Sequence, residues 1–182
     1  MTASANSISI RRCAPGDEAL LALIGQATFL ETFAGILPGT DILAHCQNQH
    51  AASKYAAWLN DPASAAWLAE MESGGAPVGY LVLTKPDLPL ADINADDLEV
   101  KRVYLLRRCQ GSGVGARLMN EARDLARPRG VRRLLLGVYG KNDAAIGFYE
   151  KLGYRCVGTR EFRVGHGTYH DLILALDLSA SL

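Results

Sequence analysis

What the sequence has least of narrows it first. It carries no net charge: 19 lysines and arginines balance 19 aspartates and glutamates, so no overall basic field exists to hold nucleic acid or an anionic membrane. Cysteine is sparse. Cys13, Cys46, Cys109 and Cys156 stand far apart, form no C-x-x-C and have no histidine at a zinc-finger spacing. That excludes a disulfide framework and a zinc module and reads as reduced thiols in a cytoplasmic protein. His45 and His50 are five apart, on different faces of a helix, so no metal site is expected. No apolar run approaches the ~20 residues of a membrane span. The stretch from Met1 to Ile10 has neither a basic start nor a long apolar run and does not read as a signal peptide. These absences leave a cytoplasmic single domain over residues 1–182, with its core over about 7–178, long enough to fold without staples.

The chain then divides into short elements. Ser7 to Arg12 alternates as a strand, Pro15-Gly16-Asp17 breaks it, and Asp17 caps a helix. Leu20, Leu23, Ile24 and Ala27 fall at i, i+3, i+4 and i+7, one apolar stripe, before Gly35 and Pro38-Gly39 end that helix. A second helix over about Asp41 to Leu59 stops at Asn60-Asp61-Pro62. Ala65 to Met71 and Pro77 to Thr84 read as a hairpin across Gly74-Gly75. Lys85 to Asp97, rich in proline and aspartate, reads as an exposed connection. There follow a strand over about Leu98 to Leu105, a helix from about Gly113 to Arg127 with Val114, Leu118 and Leu125 on one side, and a buried strand from Val131 to Val138. A helix from Asp143 to Leu152, stopped by Gly153, leads to a closing hairpin of Tyr154 to Val164 and Thr168 to Leu176. One strand–helix–strand unit with two antiparallel hairpins predicts an α/β fold: a central mixed, mostly antiparallel sheet of about seven strands with helices on both faces.

One stretch organises the rest. From Leu98 to Leu118, LEVKRVYLLRRCQGSGVGARL, an apolar strand runs into a loop with Gly111, Gly113 and Gly115 and restarts as a helix. Such a junction leaves backbone N–H groups pointing together at the positive end of a helix dipole, a cradle for an anion. A triphosphate loop does not fit: the one Gly-Lys dipeptide, Gly140-Lys141, is followed by Asn142, and Leu135 stands where the first glycine belongs. A dinucleotide fingerprint matches at Gly111, Gly113 and Ala116. The acidic residue about 20 positions on is missing around Leu134 to Tyr139, however, and too little chain follows for that domain.

A third reading takes in more residues. Gln110-Gly111-Ser112-Gly113-Val114-Gly115 fits Q/R-x-x-G-x-G/A between a strand and a helix, and about 30 residues later Asn142 precedes Phe148-Tyr149-Glu150-Lys151-Leu152-Gly153-Tyr154. On these two motifs, in this order, the chain resembles the GCN5-related N-acetyltransferase superfamily. The Glu31-Thr32-Phe33 phrase and the layout are similar to bacterial small-molecule members related to spermine/spermidine acetyltransferases. The resemblance implies the acyl-CoA N-acyltransferase fold, acetyl-CoA as co-substrate without a metal, and a small amine as acceptor.

It implies residue roles as well, each with a plainer alternative. The loop from Gln110 through Gly111, Ser112, Gly113 and Val114 to Gly115 would take the CoA pyrophosphate on its amides, or be a tight turn. Arg107, Arg108 and Lys151 would neutralise phosphates, or be surface charges. The backbone of Val103 and Leu105 would bond the pantetheine arm where this strand splays from the next, and the Leu105 N–H would polarise the thioester carbonyl. Tyr149 would protonate the leaving thiolate, its reference pKa of ~10 keeping the proton until needed. Ala145, Phe148, Tyr149 and Leu152 also make a core stripe. Asn142 would bond the arm, or cap its helix. Glu99 is the nearest acid for deprotonating the amine, or an exposed strand carboxylate, and Lys101 stands where related enzymes often carry an acid. Phe29, Phe33, Tyr55, Trp58 and Tyr169 would line an acceptor pocket between the first two helices and the closing hairpin, or fill the core.

The expected reaction is acetyl transfer from acetyl-CoA to the primary amine of a small molecule by direct attack in a ternary complex. Cys109 has no histidine partner to support a covalent route. The alternatives are acetylation of a protein N-terminus or lysine, and a non-catalytic acyl-CoA sensor, against which Asn142 and Tyr149 together argue. The exposed edge of the closing hairpin leaves a homodimer open.

Overall fold

The computed structural model describes residues 7–164 and 167–179. Its elements in chain order are β1 (Ile8–Arg12), α1 (Glu18–Phe33), α2 (Gly39–Gln49), α3 (Ala52–Leu59), β2 (Ala65–Met71), β3 (Pro77–Thr84), β4 (Asp97–Leu105), α4 (Val114–Ala126), β5 (Arg133–Tyr139), α5 (Asp143–Lys151), β6 (Arg155–Val164) and β7 (Gly167–Asp177). The strands form one seven-stranded sheet in the order β1-β2-β3-β4-β5-β7-β6. β4 and β5, joined through α4, are parallel. β1 with β2, β5 with β7 and β6 with β7 are antiparallel. The mixed sheet expected from the connection lengths is therefore the one formed. The closing hairpin pairs Val164 with Gly167, and the turn residues Gly165 and His166 lie outside the described residues. Among the described residues no helix is long and apolar enough to cross a membrane.

The chain gathers into two compact units. The first runs to Val82 and takes back Arg102–Glu121. Leu21, Ala22 and Ile24 of α1, Tyr55 of α3 and Ala66, Leu68, Tyr80 and Val82 of β2 and β3 build its core. The inward line of α1 departs from expectation: Leu21, Ile24, Gly25 and Thr28 are buried, whereas Leu23 is 59% exposed. Both lines have the i, i+3, i+4, i+7 spacing, because this helix is apolar nearly all round, and periodicity alone does not choose between them.

The single helix expected over Asp41 to Leu59 is two. α2 stops at Gln49, His50 leaves helical geometry (φ −113°, ψ 23°), and Ala51 is extended before α3 begins. The break lets the buried His50 ring reach the Tyr55 hydroxyl, with Nδ1 2.8 Å away. It also brings His45 and His50 together, ring centroids 5.5 Å apart, where a continuous helix would have kept them on different faces.

The second unit comprises Leu83–Lys101 and the residues from Ala122 onward. The connection read as exposed is instead pinned to the sheet: Leu88 is buried with Leu135, Ile173 and Ala175, and Leu90 and Ile93 pack against the same cluster. At its end Asp97 is enclosed by Arg132 and Arg133, each with Nη2 2.9 Å from Oδ2. Burial alone would raise the Asp97 carboxyl. The hydrogen bonds from Arg133, Arg132 and the Asn94 N–H outweigh it and hold that carboxyl well below the usual range. On α4, Val114 and Leu118 are buried as expected, but Leu125 is only half-buried, and Met119, Ala122 and Ala126 complete the inner line.

Candidate active site

The glycine loop is built in the first unit. After β4 a single 3₁₀ turn over Arg107–Cys109 buries Cys109 and leaves Arg107 and Arg108 exposed. Gln110 folds its side chain back, Nε2 donating to the Leu105 carbonyl at 3.2 Å. Gly111 and Gly113 have φ of +74° and +83°, left-handed values that favour glycine. A Cβ at either position would meet nothing within 4 Å, so the requirement is conformational and the space above the loop is open. The Ser112 hydroxyl donates to the Cys109 carbonyl, which turns the chain over. Val114, buried, starts α4, and the first helical bond runs from Arg117 N–H to the Gly113 carbonyl. The exposed amides and the helix start fit a diphosphate.

β4 changes character along its length. Asp97, Leu98 and Glu99 pair with Arg133, Leu134 and Leu135 of β5, and that ladder ends there. β4 continues to Leu105, and its last five residues are half-buried where the first four are buried. Leu106 N–H donates to Val78 on β3. By strand alternation the backbone groups of Val103 and Leu105 point to the opposite edge.

The remaining predicted catalytic and cofactor-binding residues belong to the second unit. Asn142 caps α5, its side chain accepting from Ala145 N–H at 3.1 Å, so the capping role is met. Tyr149 is 8% exposed on α5, between the rings of Phe148 and Tyr154 at 5.2 and 5.9 Å. Lys151, the last residue of α5, is exposed. Tyr154 is buried and its hydroxyl has no hydrogen-bond partner among the described residues; burial, then Tyr149, pushes its pKa well up.

Glu99 is not the exposed carboxylate offered as its plainer reading. It is 2% exposed, accepting from Asp87 N–H at 2.7 Å and facing the Lys101 ammonium at 3.2 Å, because the pinned 85–97 connection covers it. Tyr169 lines a cavity of about 330 Å³ with Tyr139, Lys141 and Asp171. There Arg160 holds Asp171 Oδ2 at 3.1 Å. A side chain at Gly137 would collide with that guanidinium.

The match to the family model "Acetyltransferase (GNAT) family" covers residues 35–154, from α2 through both motifs. The chain belongs to the GNAT acetyltransferase family. An uncharacterized N-acetyltransferase of Mycobacterium tuberculosis is 34% identical over 126 residues, 69% of this chain and 75% of the relative. The N-alpha-acetyltransferase RimI of the same species is 36% identical over 88 residues, 48% of this chain and 51% of RimI. Among solved structures, the PaiA N-acetyltransferase of Thermoplasma acidophilum, crystallised with coenzyme A, has a TM-score of 0.72 at 20% identity, covering 94% of this chain and 99% of that one, which is a likeness of fold. This GNAT protein is an acetyl-CoA-dependent N-acetyltransferase.

Two features of this GNAT chain were missed from sequence. Glu31, of the Glu31-Thr32-Phe33 phrase, accepts from Arg107 N–H at 2.7 Å and so ties α1 to the start of the glycine loop. Arg102, passed over between Lys101 and Val103, is the hub of a buried polar cluster. Its Nη1 donates to Tyr55 OH at 2.8 Å and to His50 Nδ1 at 3.2 Å, and its guanidinium lies 5.3 Å from the Tyr55 ring and 5.0 Å from the Trp58 ring. A guanidinium cannot accept, so the His50 nitrogen facing it is the unprotonated one. Burial first and Arg102 second press His50 down to about 3 and His45 to about 4, and both imidazoles are neutral near pH 7. Of the predicted pocket aromatics, Phe29 and Tyr55 are core, while Phe33 and Trp58 are half-buried. No sequence signal marks Arg102, whose partners are 47 and 52 residues away.

Proposed function

We propose that the protein transfers acetyl from acetyl-CoA to the primary amine of a small molecule by direct attack in a ternary complex. The observation that carries this reading is the open, left-handed glycine loop at the head of α4, following a strand whose final residues outrun their pairing with β5. Loop amides over Gln110–Gly115 hold the pyrophosphate, with Arg107 and Arg108 beside the loop, and Lys151 is a further cation for the phosphates. The Val103 backbone and the Leu105 N–H take the pantetheine arm, and Asn142, already a cap through its oxygen, has its amide N–H groups for the same task. The amine nitrogen bonds to the thioester carbon, the C–S bond breaks, and Tyr149 gives its proton to the thiolate.

Glu99 has a structural task first, since its oxygens hold Asp87 N–H and Lys101. A Glu99→Gln variant that keeps its turnover assigns amine deprotonation to water; loss of kcat together with the acidic limb of the pH–rate profile makes Glu99 the base. The small-molecule acceptor is supported by the resemblance of the Glu31-Thr32-Phe33 phrase to small-molecule members. A protein α-amine is the second reading, favoured by the identity with RimI, and thiol release with peptides set against polyamines and amino acids tests it. The deciding measurement pairs calorimetric acetyl-CoA binding with thiol release by Tyr149→Phe. The expected result is a loss of about 100-fold in kcat with unchanged acetyl-CoA affinity. An unchanged rate removes Tyr149 as the acid.

A further inference from the structure

The Arg102 cluster is charged but not neutralised. Arg11, Arg132, Arg133 and Arg160 each hold a carboxylate. Arg102 meets only neutral acceptors, Tyr55 OH and His50 Nδ1, and among the described residues no carboxylate pairs with it. A second cation, Lys54, lies 5.4 Å from the Trp58 ring and likewise has no carboxylate partner among the described residues. One indole therefore carries two uncompensated positive charges.

The geometry also leaves Arg102 an open side. Among the described residues its hydrogen bonds leave from Nη1, and neither Nε nor Nη2 is among the sealed, unpartnered nitrogens. The Nε–Nη2 edge is the planar fork that accepts both oxygens of a carboxylate side by side. Tyr55, His50 and Trp58 fix the guanidinium plane in advance, so little side-chain freedom is lost when an anion docks. Arg102 stands one residue before Val103 and three before Leu105, about 10 Å along the strand from the latter. A carboxylate on Arg102 and an amine near the Leu105 N–H are thus several bonds apart in one molecule.

We propose that Arg102, with Lys54 beside it on Trp58, is the carboxylate-binding subsite of the acceptor, and that the acceptor is an amine carrying a distant carboxylate, as in an ω-amino acid or a short peptide, rather than a polyamine. The anion site stands by itself; only its assignment to the acceptor rests on the acetyltransferase reading.

The first test needs no turnover. N-acetyl-6-aminohexanoate, which has the carboxylate but no reactive amine, is titrated into the full chain by calorimetry while tryptophan fluorescence is followed, with the matching carboxamide as control. The acid binds saturably and perturbs the emission of Trp58; the amide does not. Arg102→Gln weakens the acid by about 10- to 100-fold, as expected for charge-assisted bonds of about 1.5–3 kcal/mol. Arg102→Lys restores part of the affinity, and Lys54→Ala, at an exposed position that does not threaten folding, weakens it about threefold. Equal binding of acid and amide, or acid binding indifferent to both Arg102→Gln and Lys54→Ala, overturns the proposal.

The second test compares kcat/KM for 6-aminohexanoate and 6-aminohexanamide. Wild type prefers the acid, and Arg102→Gln brings the ratio near one, an internal ratio that a partly unfolded variant would not alter. Acid binding without acetylation of any amine keeps the subsite and overturns the transferase reading. Acetylation of acid, amide and polyamine alike keeps the transferase and overturns the subsite.

Discussion

Asp97 and Arg102, five residues apart on β4, answer the same problem in opposite ways. Asp97 is sealed from water and saturated: two arginines and the Asn94 N–H occupy its oxygens. Arg102 is held as firmly, by two aromatic rings, a phenol and an imidazole, yet every partner among the described residues is neutral. A charge whose partners complete it has become part of the frame, whereas a charge that is oriented but not neutralised retains attraction for something that is not part of the chain. The first stands where β4 is paired with β5, the second where that ladder has ended.

The largest expected effect comes from breaking the saturated side. Asp97→Asn leaves two guanidinium groups facing an amide and lowers the unfolding free energy by about 3 kcal/mol or more, measured by urea denaturation at pH 7. Because the folded-state carboxyl titrates below its ordinary value, its contribution is complete above the unfolded value of ~3.9 and is lost as the pH falls below that. Wild-type and variant stabilities therefore converge in acid. Curves that stay parallel down to pH 3 contradict this account of Asp97.

The open side is broken from behind. Gly25 of α1 lies under the cluster, and a Cβ there would strike Tyr55 OH and His50 Nδ1. Gly25→Ala should cost about 1–3 kcal/mol as an overpacked core, despite the better helix propensity of alanine, and it should weaken carboxylate binding by moving the groups that orient Arg102. A variant at least as stable as wild type with unchanged anion affinity would separate Arg102 from Tyr55 and His50.

The smallest effect sharpens the comparison with a neutral group. The Tyr154 hydroxyl is buried without a partner among the described residues, so Tyr154→Phe removes a desolvated dipole and should raise stability by about 1 kcal/mol, read as a higher melting temperature. A loss of stability would mean that this hydroxyl is satisfied in solution.

The glycine loop and the strands around it were readable from residue types because their conformation is set locally. Gly111 and Gly113 must be glycine wherever φ is positive, and the hairpin boundaries at Ala65–Met71 and Pro77–Thr84 follow from the turn between them. The α1 face was misjudged because Leu20, Leu23, Ile24 and Ala27 compete with an equally spaced line through Leu21, Ile24, Gly25 and Thr28. The α2–α3 break was missed because neither proline nor glycine stands at His50. What stops the helix there is a buried side chain and its Tyr55 partner.

The sequence by itself determined the family, the order of strands and the place of the glycine loop, since each depends on short-range spacing that survives in one dimension. Only the tertiary structure decided that Glu99 is covered, that Asp97 is neutralised and that Arg102 is not. Charge compensation depends on which distant side chains are brought within a few ångströms, and for Arg102 those come from 47 and 52 residues away.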